Sequence, residues 1–152
     1  MRWMSVLALT AVVASIAAPA AANDLTYRHQ QDGPSLLEGS NGRPYWLLLS
    51  ECAGFYGAMA NVAADEAQSQ ESLDTGVEMF RLAVSRLRND RGIDQAAAVA
   101  LMEPYIERAR VLGETNLAAD PSNGDDGRLS PRVVMSSTCN SLRLAYDDAI
   151  RS

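Results

Sequence analysis

Apolar positions recur along this chain at steps of three and four, which places them on one face of an α-helix, and they do so in four separate stretches. The first stretch opens at Pro44, a residue suited to the first helical position, and its apolar line runs Trp46, Leu49, Ala53, Tyr56, Met59 or Ala60, and Ala63. Ser50, Gly54, Gly57 and Asn61 form a second face of small residues. Each glycine inside a helix costs about 1 kcal/mol relative to alanine, so two of them point to close packing by another backbone. This helix is expected to fade near Ser69-Gln70.

The second stretch has the cleanest spacing: Leu73, Val77, Phe80, Val84 and Leu87, with steps of four, three, four and three. Thr75 and Glu78 resemble a capping box at its start, and Asn89-Asp90-Arg91-Gly92 ends it. The third begins near Asp94, a good N-cap, with Ala98, Leu101, Tyr105, Ala109 and Leu112 as its buried line. Pro104 is expected to kink or split it, and Gly113 to stop it. A polar loop, Glu114 to Leu129, follows. Ser130-Pro131 then offers a cap and first turn for a last helix with Met135, Cys139, Leu142, Tyr146 and Ala149 on one face.

Four amphipathic helices bury one another as a bundle. The expected fold over residues 44–152 is therefore an all-α, four-helix up-down bundle. That winding sets the first and last helices side by side. Cys52 and Cys139 fall on those two helices, so one disulfide is expected to join them. Residues 23–43 lack periodicity and carry breakers at Gly33-Pro34, Gly39 to Gly42 and Arg43-Pro44, which predicts an irregular N-terminal arm.

Residues 1–22 read as a cleaved signal peptide: Arg2, an apolar run from Val6 to Ala18, then Ala20-Ala21-Ala22. The run is shorter than the roughly 20 residues of a spanning helix. The expected location is the periplasm, an oxidising compartment in which a disulfide persists.

The chain's net charge is −6. Removing residues 1–22 takes away Arg2 and no acid, which leaves −7. Such a surface repels nucleic acid and anionic lipid, so neither is expected as a partner. All thirteen basic residues are Arg, which excludes Schiff-base and P-loop lysine chemistry. The only His, His29, lies in the arm with no motif for haem or a catalytic triad around it. Met59, Met79, Met102 and Met135 sit one per helix and read as core filler. Glu103, Glu107, Arg108 and Arg110 read as a solvated charged face. The acidic loop 120–127 supplies only Asp126 at the alternate positions of a calcium loop. No cofactor and no metal are expected, and the chain is not expected to be an enzyme.

The segment Glu51-Cys52-Ala53-Gly54-Phe55-Tyr56-Gly57-Ala58-Met59-Ala60 resembles the helix opening of small periplasmic immunity proteins that neutralise secreted peptidoglycan-cleaving effectors. The likeness covers ten residues, and the further cysteines those proteins usually carry soon after are missing here. It implies an inhibitor-type role. Close helix packing beside a disulfide accounts for the same residues. The leading expectation is a non-enzymatic protein-binding module, with Gly54, Phe55, Tyr56, Gly57 and Tyr27 as contacts and Leu36 and Leu37 nearby in the arm. The alternatives are a carrier of a small apolar ligand held between helices and the immunity-type inhibitor.

Overall fold

A computed structural model describes residues 42–119 and 129–151. The expected signal peptide, most of the arm with Tyr27 and His29, and the acidic loop 120–127 lie outside the described residues. Within them the chain is all-helical: α1 (Tyr45–Asn61), α2 (Glu66–Arg91), α3 (Gln95–Ala119) and α4 (Pro131–Ala149). No β-strand occurs among the described residues.

Helix α1 is the centre of the molecule. Twelve of its seventeen residues are buried, so apolar side chains surround it instead of forming one stripe, as a helix wrapped on several sides requires. It packs against α2 and α3 extensively and against α4 along a narrower seam. Trp46, Leu47, Leu49 and Ala58 are fully enclosed. Leu47 and Ala58 lie off the single line expected from the sequence.

The first boundary differs from expectation. Helix α1 stops at Asn61, well short of Ser69, and α2 starts at Glu66 instead of Leu73 or Thr75. The true cap is Asp65, whose carboxylate accepts from the Gln68 amide at 2.8 Å. Thr75 sits inside α2 and donates its hydroxyl to the Glu71 carbonyl at 3.0 Å. The period of apolar residues marks a face but not an end, and here the cap residue alone carried the boundary.

Over the first half of α2 the buried face is also rotated from the expected seam, while Val84 and Leu87 are buried as expected. Ser72, Met79, Ala83 and Leu87 point inward, while Leu73 and Val77 are 44% and 45% exposed. The cause is close approach to α1: a Cβ on Gly76 would lie 3.2 Å from the Tyr56 Cβ and 3.5 Å from the Ala53 carbonyl oxygen. Only small residues fit that contact, so the larger pair is turned outward. Gly92 closes α2 in the left-handed conformation (φ 65°), donating its amide to Arg88 at 2.8 Å.

Asp94 caps α3 as expected, accepting from the Ala97 amide at 2.8 Å. The helix then runs unbroken through both Pro104 and Gly113 to Ala119. Pro104 removes one backbone donor, but it lies on an exposed side of the helix, as does Ala100, whose carbonyl loses that partner. Gly113 is a packing residue and not a stop: a Cβ there would come within 2.7 Å of the Ala58 Cβ. Leu101 and Leu112, expected inside, are exposed; Met102, Gly113 and Leu117 take the interior instead.

Helix α4 follows the sequence closely. Ser130 Oγ accepts from the Val133 amide at 3.3 Å, and Met135, Cys139 and Tyr146 are buried. Three contacts fix its register on α1. Tyr45 meets Tyr146 with ring centroids 5.3 Å apart, Cys52 is bonded to Cys139, and Arg132 donates to the Met59 carbonyl at 3.0 Å. Seven residues, two helical turns, separate successive contacts on each helix. As the numbers rise on α1 they fall on α4, so the two helices are antiparallel. The Arg132 guanidinium also satisfies a carbonyl of the last turn of α1, at the end where the helix dipole favours a cation.

Candidate interaction surface

The narrow seam between α1 and α4 leaves a groove of about 410 Å³. Tyr45, Leu48 and Phe55 line it from α1; Thr138, Leu142 and Ala145 line it from α4; the disulfide lies between them. At one edge Arg43 and Glu51 form an ion pair at 2.5 Å. The sulfur bridge holds the two helices 5.7 Å apart between the Cα atoms of Cys52 and Cys139, and the groove runs beside it. Its lining is mostly apolar carbon with the hydroxyls of Thr138 and Ser141 along one wall.

The residues proposed from the sequence as contacts are divided by the structure. Phe55 is half-buried and lines the groove. Tyr56 is buried and its hydroxyl donates to Asn140 Oδ1 at 3.5 Å, a long and weak bond. Burial pushes the Tyr56 phenol above its ordinary range, against the opposing pull of Arg143.

Gly54 faces α3: a Cβ there would stand 2.2 Å from the Ile106 carbonyl oxygen and 2.8 Å from the Ala109 Cβ. Its face is covered by the protein itself. Gly57 has more room, with only the stem of Arg110 at 3.9 Å. Tyr27 lies outside the described residues. Arg43, Leu48 and Ala145 were not singled out from sequence; the run Leu47-Leu48-Leu49 carried the signal, since it is apolar over more than one helical face.

Helix α3 carries the charged face foreseen from sequence. Arg110 holds Glu107 through two bonds of 2.6 and 2.9 Å and Glu114 through one of 2.5 Å. Asn61 of α1 donates to the same Glu114 at 2.7 Å. The Arg110 bond keeps the Glu107 carboxyl below the usual range, and the Asn61 and Arg110 bonds do the same for Glu114. At the other end of the molecule, Arg86 pairs with Asp90 at 2.7 Å, and the Asp90 side chain is fully enclosed. Tyr146 lies against this pair; its phenol is pushed up by burial and opposed by Arg86. The buried pairing of Arg86 with Asp90 is not legible in the sequence, because an i,i+4 pair near a helix end looks like any exposed one.

Among the described residues no three His, Cys, Asp or Glu side chains converge as metal ligands would. No helix among them is long and apolar enough to cross a membrane. Comparison with known protein families, with curated proteins and with solved structures finds no significant match to this chain.

Proposed function

We propose that the chain is a non-enzymatic binding module exported to the periplasm. It seats an apolar side chain of a partner protein in the groove between α1 and α4. The observation that carries this reading is the groove itself: an open, largely apolar cleft beside Phe55, bounded by the Arg43–Glu51 pair. Its polar groups are one ion pair and two hydroxyls. These suit orienting a partner's backbone, and the apolar lining supplies the contact area. The likeness of Glu51–Ala60 to immunity proteins supports an inhibitor as the kind of module. Up-down winding belongs to the same reading and is supported by the antiparallel register of α1 and α4. The disulfide supports an oxidising compartment, and residues 1–22 supply the signal for reaching it.

Site-directed photocrosslinking in cells tests the proposal. A crosslinker at Leu48, inside the groove, is expected to give one protein adduct identifiable by mass spectrometry, and Ala145→Asp is expected to abolish it. The same group at Arg88, on the exposed side of α2, serves as the control. Equal labelling from both positions, or none from Leu48, overturns it.

A further inference from the structure

A second hollow lies between α2 and α3 and is built differently. It measures about 500 Å³. Phe80, Val99 and Ile106 are half-buried in its floor, Pro104 forms part of its wall, and the exposed carboxylates Glu103 and Glu107 stand at its rim. On α2, Val77 precedes Phe80 by three residues and Leu73 precedes Val77 by four, so all three share one stripe. The four-three seam of α2 is therefore divided. Its second half, Val84 and Leu87, ends in the core, while Leu73 and Val77 remain nearly half exposed. Steps of four and three are the spacing by which one helix meets another. The exposed half of the seam leads straight into the hollow.

Charge selects what fits there. Arg110 is already held by Glu107 and Glu114, and Asp74 lies exposed on the next turn of α2. Glu103, Glu107, Glu114 and Asp74 outnumber Arg110 and the exposed Arg81 beside Phe80, so the surroundings of the hollow are net negative by two charges. A second copy of this chain, itself at −6, would bring acid against acid. We infer that Leu73, Val77, Phe80 and the hollow beside Pro104 form a docking groove for a cationic amphipathic helix of another protein. Its apolar side chains extend the α2 seam, and its Lys or Arg side chains face Glu103 and Glu107. About three turns of partner helix, roughly 17 Å, cover the distance from Leu73 to Val84.

The test is calorimetric titration of the oxidised full chain with two synthetic amphipathic helices that share a leucine face. One carries Lys on its polar face and the other Glu. The Lys peptide is expected to bind, more weakly as salt rises, and the Glu peptide is not. Val77→Asp is expected to weaken binding about tenfold or more, Val77→Ser less. Both are exposed replacements, whose folding is checked by circular dichroism. Glu103→Gln is expected to cost about threefold and to flatten the salt dependence. Phe55→Ala, which removes the floor of the α1–α4 groove, is expected to change nothing; this separates the inference from the proposed function. It is overturned by equal binding of both peptides or by indifference to both Val77 replacements. Sedimentation showing self-association abolished by Val77→Asp, or native mass spectrometry showing a small apolar molecule filling the hollow, also overturns it.

Discussion

Helix α1 is held by α3 and by α4 in unlike ways. Against α3, small residues meet at four-residue spacing on both sides: Gly54 and Ala58 face Ala109 and Gly113. The backbones approach until a single methyl would collide, and no covalent link is present. Against α4 the contacts are two aromatic rings, a sulfur bridge and a guanidinium on a carbonyl, seven residues apart, with a groove beside them. One seam derives its strength from shape and the other from discrete fasteners. The first leaves no room for a ligand; the second does.

The largest expected effect breaks the second seam. Replacing both cysteines with Ser opens a loop of 87 residues. In the chain-entropy picture this costs about 4–5 kcal/mol, measurable by urea denaturation, with α4 predicted to lose amide protection before α1 and α3. Breaking the first seam is the next in size. Gly54→Ala drives a methyl onto the Ile106 carbonyl and is expected to lose about 2–3 kcal/mol despite the better helix propensity of Ala.

Gly57→Ala, three residues on, sharpens the comparison by reversing sign. Its methyl meets nothing nearer than the Arg110 stem at 3.9 Å, so a gain of about 0.5–1 kcal/mol is expected from propensity alone. A gain at Gly54 or a loss at Gly57 would show that α1 and α3 are not seated as described.

The smallest effects are those of pH. Tyr56 and Tyr146 both sit on the α1–α4 side and both titrate above the ordinary value of 10.0 because they are buried. The folded state then binds more protons than the unfolded one above that pH, so stability is fully present below pH 10 and falls as pH rises beyond it. Glu107 and Glu114 on α3 behave oppositely. Their folded values lie below 4.5, so their contribution is present above that pH and fades as pH falls below it. Glu107 is exposed and Glu114 half-buried at the surface, so salt screens the acid limb strongly. Denaturation midpoints followed across pH in low and high salt should show the alkaline loss persisting and the acid loss shrinking.

The sequence revealed much of this at α4 and least at α2. In α4 one side of the helix meets the protein, so the apolar period, the Ser130-Pro131 start and the position of Cys139 all coincide. In α2 the contact with α1 runs through Gly76, and the small Ala83 is buried on the same helix. Small residues contribute little to any hydrophobic pattern, so Leu73 and Val77 outweigh them and the expected seam is displaced over its first half, while Val84 and Leu87 are buried as the spacing predicts. Gly113 misled for a related reason: glycine commonly ends helices, but it also permits two helices to touch. For the surface, Phe55 was legible because an aromatic beside a cysteine stands out. Arg43 and Leu48 acquire their roles only from the spacing between α1 and α4, which no local pattern encodes.

The bond between Cys52 and Cys139 encloses the whole of α2 and α3 within one covalent ring. A protease that cuts the backbone once anywhere inside it therefore turns a ring into a line without dividing the molecule. Cleaved material would keep its mass, plus one water, until a reductant is added.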